Sequence, residues 1–224
     1  MASYRPKTFA VRLKKGNVKA APIKNIPLQL PFNSKAFTPE NFGYTVSFDK
    51  KGNSFAAELI GDKVTCDNIT FSIADHENKN VIKCKGDTIQ LPKEAAGKKL
   101  YILAASTDKD RKSTFLVNGK SHEFEIPYYS GFYGQWGHKG VSDGYIRNAS
   151  LAYIGSHRHT EKGNDTYIYT YMYKLGIELP QEAHTLVLPK DENIAVFAIT
   201  LSDNYIDDIS TANEMRTLPL EVSK

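Results

Sequence analysis

Residues 100–105 read Leu-Tyr-Ile-Leu-Ala-Ala, and residues 194–199 read Ile-Ala-Val-Phe-Ala-Ile. A short, continuously apolar run of this kind is typical of a strand that is buried on both faces. The motifs Ile89–Pro92 and Ile177–Pro180 precede the two runs, and their prolines mark strand ends, where no ladder donor is needed. The two runs therefore predict central strands of a sheet that is covered on both sides.

Further short extended segments lie on both sides of these runs, and turn residues separate them. No amphipathic helical pattern longer than two turns interrupts the series. We therefore predict an all-β, jelly-roll-like antiparallel β-sandwich. The predicted strands are residues 44–48, 55–60, 70–73, 88–91, 100–105, 114–117, 123–126, 145–154, 166–175, 185–188 and 194–201.

Charge is unevenly distributed along the chain. Residues 1–24 hold seven of the 29 basic residues and no acidic residue, which leaves 22 basic against 25 acidic residues in the remainder. That remainder lacks the broad positive face with which a nucleic-acid binder displaces counterions. No run of about 18 apolar residues occurs, as a membrane-spanning helix would require. We expect neither nucleic acid nor a membrane as partner.

The first residues differ in pattern from the rest. Phe9, Val11 and Leu13 alternate with Ala10 and Arg12, which predicts a strand. From there to residue 27 the periodicity disappears around two prolines, as is typical of a linker. We assign residues 1–27 to an N-terminal strand and linker from a preceding β-domain, and residues 28–224 to the β-sandwich.

The two cysteines, Cys66 and Cys84, do not lie in a CxxC or other metal-ligand spacing. They could pair only if they lie on neighbouring strands. Because free cysteine is readily buried, we expect two reduced thiols in the core.

Residues 130–138 read Ser-Gly-Phe-Tyr-Gly-Gln-Trp-Gly-His and form a loop rich in glycine and aromatic residues. Exposed rings of Tyr133 and Trp136 could stack on the C–H face of a sugar, and Gln135 could donate and accept hydrogen bonds. Alternatively, Trp136 is a buried residue that closes one end of the sandwich. The loop therefore predicts either a carbohydrate contact or a structural plug.

The segment His157-Arg158-His159 is the densest polar cluster. On an extended backbone the two histidines point one way and Arg158 points the other way. A zinc site needs further ligands, and the nearest acids, Glu161 and Asp165, fit no recognised spacing. The alternatives are a contact surface for sugar or a neighbouring domain, a hydrogen-bonded corner, and a metal-binding histidine pair. We assign these three residues as carbohydrate or domain contacts, without a metal.

Two other patterns have both a structural and a ligand-binding interpretation. Tyrosines at every second position of residues 167–173 predict a stripe that covers a half-buried sheet face, or else a carbohydrate platform. Residues 49–54, followed by Glu58, could form a calcium loop, but the lysines at positions 50 and 51 favour a plain hairpin turn.

Five stretches, taken in order, resemble the far C-terminal part of bacterial α-mannosidases of glycoside hydrolase family 38. The combination in this order is more specific than any single stretch, and the resemblance covers nearly the whole chain. The matching stretches are residues 3–13, 49–59 with the core Gly-Asn-Ser-Phe-Ala-Ala-Glu, 126–137, Ser-His-Arg-His at 156–159, and 186–201.

The resemblance implies a galactose-binding-like sandwich that braces a catalytic domain and contacts mannosides or other glycans. In that family the zinc ion and the aspartate nucleophile belong to an N-terminal catalytic domain, which this chain does not contain. No ordered catalytic motif occurs here either, so we expect no catalytic residue, no cofactor and no enzyme activity in this chain by itself. The alternative is an independent carbohydrate-binding module that uses the aromatic loop around Trp136.

Overall fold

The computed structural model describes residues 24–40, 46–132 and 149–203, and this part of the chain is all-β, as predicted. Its fifteen strands form sheets of nine, four and two strands. Two single 3-10 turns span Ala57–Leu59 and Lys93–Ala95. The strands are β1 (Asn25–Pro27), β2 (Phe37–Thr38), β3 (Ser54–Ala56), β4 (Lys63–Cys66), β5 (Ile69–Ser72), β6 (Ile82–Lys83), β7 (Thr88–Gln90), β8 (Lys99–Ser106), β9 (Arg111–Val117), β10 (Lys120–Ile126), β11 (Ser130–Phe132), β12 (Ser150–Thr160), β13 (Gly163–Glu178), β14 (Thr185–Val187) and β15 (Ile194–Ser202).

The nine-stranded sheet is built around β8. Its main path runs β1-β15-β8-β13-β12-β3-β2, and β11 and β6 add to β13 and β15 respectively. The pairings in this sheet are antiparallel except for β2 with β3. The four-stranded sheet runs β10-β9-β14-β7, and β4 and β5 form a separate hairpin.

Every residue of β8 is buried, which confirms the prediction that this apolar run is a central strand. Its side chains alternate between two cores, as the pleat of a strand requires. Leu100, Ile102 and Ala104 pack in a core with residues of the four-stranded sheet, such as Phe115 and Leu186. The alternate side chains pack in the other core, which includes residues of the β4–β5 hairpin. The nine-stranded sheet therefore separates two cores.

The second core is rich in aromatic rings. We call Phe37, Phe48, Phe55, Tyr129 and Phe197 the aromatic core. Phe55 lies at its centre, with ring centroids 5.3 Å from Phe197 and 5.3 Å from Tyr129. The Phe55–Phe197 pair has the edge-to-face geometry, at 79°, that aromatic quadrupoles favour. Because Phe55 belongs to β3, this core holds β3 firmly in place beside β12.

A carboxylate supports the aromatic core from one end. The buried Asp49 accepts backbone hydrogen bonds from Lys51 and Asn53, each at 2.9 Å, and a third from the Asn53 side chain at 2.8 Å. The hydroxyl of Tyr129 donates a fourth at 2.8 Å. These partners are those of a tight hairpin turn, so the structure supports the turn interpretation of residues 49–54 over a calcium loop.

Several predicted elements differ from the structure. The predicted strand 55–60 ends at Ala56, because residues 57–59 turn into a 3-10 helix. Residues 46–48 of the predicted strand 44–48 are not in a strand. The short strands β1, β2, β4, β6 and β11 were not predicted, since two to four residues are too few to show a period. The predicted strand at 7–13 lies outside the described residues.

The predicted tyrosine stripe is wrong as a single half-buried face. Tyr171 and Tyr173 are fully buried, whereas Tyr167 is 77% exposed. The reason is that β13 runs from a solvent-exposed hairpin end into the interior, so burial changes along the strand.

Both cysteines are free, as predicted, but Cys66 is only half-buried rather than in the core. Cys84, in contrast, is fully buried, and burial raises the pKa of its thiol far above the ordinary value.

Within the described ranges, no helix is long and apolar enough to cross a membrane.

The aromatic core predicts a large stability difference between two apolar truncations. Phe197→Ala should lower the free energy of unfolding by about 3–5 kcal/mol, because it opens a cavity among packed rings. Ile154→Ala, at a side chain that is 45% exposed, should change it by no more than about 0.5 kcal/mol. Urea denaturation followed by circular dichroism measures both, and equal midpoints would contradict this account of the core.

Candidate functional site

The β12–β13 hairpin projects a polar end beyond the cores. Thr160 and Gly163 pair across its turn, where Gly163 adopts a φ of 108° that strongly favours glycine. The Thr160 hydroxyl accepts a hydrogen bond from the Lys162 amide at 3.1 Å and donates to the Gly163 carbonyl at 3.0 Å. The hairpin end is thus a closed turn rather than a loose loop.

The short strand β3 lies beside this end of the hairpin. Arg158 pairs with Phe55, and His159 pairs with Ser54. The aromatic core holds Phe55, so the position of β3 against β12 is set from inside the protein. The chain leaves β3 at Ala56 and enters the 3-10 turn, whose second residue is Glu58.

This turn carries the Glu58 carboxylate to both histidines. Its Oε1 atom lies 3.0 Å from His157 Nε2 and 3.0 Å from His159 Nε2. The two imidazole rings are stacked, with centroids 5.4 Å apart. Side-chain exposure is 29% for Glu58, 15% for His157 and 4% for His159, so the group opens to solvent on one side. We call Glu58, His157 and His159 the Glu-His-His cluster.

The Glu-His-His cluster agrees with the predicted orientation of the two histidines and contains a third residue that the sequence did not predict. Both histidines point to one side of β12, as the extended backbone predicted. Neither Glu161 nor Asp165, the two acids considered from spacing, belongs to the group. The third member is Glu58, which lies 99 residues before His157. No local spacing could reveal it, because its position depends on the pairing of β3 with β12.

Arg158 binds Asp165 directly across the hairpin. Its Nε donates to Asp165 Oδ2 at 2.8 Å, and a second guanidinium nitrogen lies 2.7 Å from the same oxygen. Burial disfavours the charged guanidinium, but the Asp165 hydrogen bond and the nearby acidic groups outweigh it and raise the pKa of Arg158. Arg158 is therefore a fixed cation on the side of β12 opposite the histidines.

A small group of buried hydroxyls lies next to the Glu-His-His cluster. Tyr153 and Gly155 precede His157 on β12, and Gly155 pairs with Thr170 of β13. A Cβ atom at Gly155 would meet the Thr170 hydroxyl and, at 2.8 Å, the Tyr153 hydroxyl. Neither buried hydroxyl has a hydrogen-bond partner in the part of the chain that the structure describes. Burial, and secondarily the charge of Glu58, raise the pKa of Tyr153.

The arrangement has two possible chemical uses. One carboxylate oxygen and two imidazole nitrogens that converge can form a hydrogen-bonded corner, or they can ligate a metal ion. The exposed rim of His157 and Glu58 offers both donors and acceptors to an external polar ligand, and the Arg158–Asp165 pair does so on the opposite side of β12. The other predicted contact residues, Tyr133, Gln135 and Trp136, lie outside the described residues.

Fold and site together define a β-sandwich domain with a polar cluster at one sheet edge. A family model described as AziU2-like beta-sandwich domain matches residues 24–205, and the chain belongs to this family. No curated protein matches the chain. The family match agrees with the predicted β-sandwich and shows no link to α-mannosidases.

The hydroxyls of Tyr129 and Tyr153 are both buried, but of the two only the Tyr129 hydroxyl has a hydrogen-bond partner among the described residues. This difference leads to a prediction about stability. Tyr129→Phe should destabilise the chain by about 1.5–3 kcal/mol, since it removes a donor to the buried Asp49 carboxylate. Tyr153→Phe should leave stability unchanged or raise it, since its hydroxyl is buried without a partner among the described residues. Thermal unfolding of the two variants beside wild type checks this, and a larger loss for Tyr153→Phe would contradict it.

Proposed function

We propose that this chain is a non-catalytic accessory domain that contacts carbohydrate through the solvent-exposed end of the β12–β13 hairpin. The single observation that carries the proposal is Tyr167, whose side chain is 77% exposed. It is one of two exposed large hydrophobic side chains among the described residues, the other being Ile154. An exposed tyrosine ring offers a flat apolar face for a sugar and a hydroxyl for its polar groups.

The backbone at Tyr167 supports a specific role for the ring. Its φ of 68° lies in the left-handed region, which is costly for a bulky side chain. Strained backbone of this kind persists only where the surrounding structure imposes it, and it concentrates at ligand-binding positions. Gly155 pairs with Thr170, but His157 pairs with Thr166, so the register of β12 against β13 shifts between these two pairs. Tyr167 lies within this irregularity.

Polar groups suited to sugar hydroxyls lie next to Tyr167 along the hairpin. Thr166 pairs with His157, and Asp165 pairs with Arg158. Planar guanidinium and carboxylate groups form directional hydrogen bonds with vicinal hydroxyls, while the aromatic ring covers the C–H face. Arg158, predicted as a contact from the sequence, therefore belongs to the proposed surface, whereas His157 points to the opposite side of β12.

The resemblance to family 38 glycoside hydrolases supports a more specific proposal. The glycan would be a mannoside, and the domain partner would be the catalytic domain of an α-mannosidase-like enzyme. The zinc ion and the nucleophile of the reaction would then belong to that domain, and this chain would brace it.

Titration of the full chain with mannosides and a glycan array tests the carbohydrate contact. Tyr167→Ala should weaken glycan binding by about tenfold or more, because truncation of an aromatic residue that anchors a contact typically costs more than about 1 kcal/mol of binding free energy. The matched control Tyr167→Phe keeps the stacking face and should retain most of the affinity. Circular dichroism verifies that both variants fold.

Three results would count against the proposal. Binding that is the same in Tyr167→Ala and wild type would remove the hairpin end as the contact surface. Absence of binding to every glycan would leave only the bracing of a catalytic domain. Turnover of a nitrophenyl mannoside by the purified chain would contradict the non-catalytic role.

A further inference from the structure

We propose that Glu58, His157 and His159 bind one divalent transition-metal ion at the edge of the nine-stranded sheet. This inference is independent of the carbohydrate contact, since it rests on different side chains and on their geometry alone. The three residues come from the 3-10 turn after β3 and from β12, so the ion would connect two elements that are distant in sequence.

The donor atoms already converge. One atom from each residue lies within 4.8 Å of the other two, and Glu58 Oε1 is 3.0 Å from each Nε2 atom. Zinc binds imidazole nitrogen and carboxylate oxygen at about 2.0–2.2 Å, so neighbouring donors around an ion stand roughly 3 Å apart. Glu58 and His157 are the two more exposed side chains of the group, so they have more room than His159 to reorient around an ion.

The second nitrogen of His157 is placed to assist ligation. Its Nδ1 atom lies 3.3 Å from the Ser156 hydroxyl, which can accept a hydrogen bond from Nδ1–H. In that tautomer the lone pair of Nε2 points toward the Glu58 carboxylate and is free to bind a cation. Metal-ligating histidines commonly donate their other N–H in this way. His159 adds a nearly buried imidazole, which excludes water from one side of the site.

The donor set selects the class of ion. Two imidazoles and one carboxylate suit zinc, iron(II) and related first-row ions, whereas calcium and magnesium prefer all-oxygen sites. Three protein ligands leave at least one coordination position for water or another oxygen ligand. The hydroxyl of Tyr153, four residues before His157 on β12, and that of Thr170 on β13 have no partner among the described residues and can accept or donate hydrogen bonds to such water.

A hydrogen-bonded corner would also account for the two 3.0 Å distances, since one carboxylate oxygen can accept two hydrogen bonds. It would require both imidazoles to donate Nε2–H to a single carboxylate oxygen while the rings stack at 5.4 Å. A cation between the donors instead uses all three lone pairs and compensates the carboxylate charge. The two explanations differ in one measurable property, which is stoichiometric metal binding.

The full, untagged chain is stripped with a chelator and titrated separately with zinc, iron(II), cobalt(II) and calcium. We expect one zinc ion per chain by calorimetry, a ligand-field absorption spectrum with cobalt, and no comparable binding of calcium. Glu58→Gln and His157→Ala should each weaken zinc binding by about tenfold or more and alter the cobalt spectrum.

His184→Ala is the matched control. His184 is an exposed histidine before β14 in the four-stranded sheet, and its removal should leave zinc affinity unchanged. Circular dichroism shows that each variant folds, and Glu58→Gln preserves the size of an exposed side chain. The proposal is overturned if wild type binds no ion stoichiometrically, if calcium binds as tightly as zinc, or if His184→Ala loses as much affinity as His157→Ala.

Discussion

The structure depends on a strand that has no solvent-exposed face. β8 sends Leu100, Ile102 and Ala104 into one core and Tyr101, Leu103 and Ala105 into the other. Either face would expose a row of apolar side chains if its covering layer were absent, at a cost of roughly 25 cal/mol per Å². The four-stranded sheet must cover one face, and the β4–β5 hairpin with the aromatic core must cover the other. Even Lys99 is buried, with its ammonium group 5.5 Å from the centroid of the Tyr101 ring.

The same constraint explains where the polar site lies. β13 pairs with β8 only from Tyr173 to Glu178, and it pairs with β12 from Gly163 to Lys174. The half of β13 that does not pair with β8 therefore need not be apolar. Its residues become more exposed toward Gly163. β3 covers part of this extension because Phe55 packs in the aromatic core. Consequently the Glu-His-His cluster lies at the boundary between covered and uncovered sheet, where partly buried polar groups are stable.

The sequence predicts what local patterns encode. The runs at 100–105 and 194–199 reveal central strands, and the alternation of residues 157–159 places the two histidines on one side. The identity of Glu58 as their partner was not predictable, since it depends on β3 pairing with β12 across about a hundred residues of chain. The tyrosine pattern misled because a period of two shows which residues share a face but not where a strand leaves the core. The left-handed φ at Tyr167, likewise, has no signature in residue type.

The buried hydroxyls of Tyr153 and Thr170, beside the Glu-His-His cluster, are not explained by packing alone. A buried hydroxyl without a partner costs about 1–3 kcal/mol, and among the described residues Tyr153 and Thr170 both carry one next to Gly155. Phenylalanine and valine would fill the same volumes without this cost, so packing alone does not account for these residue types. Gly155 leaves open the space that any side chain would occupy between the two hydroxyls. Polar atoms without a partner among the described residues, the missing side chain at Gly155 and the convergence of His157 and His159 on Glu58 occur together around one stretch of β12, as the metal-binding site that we propose would require.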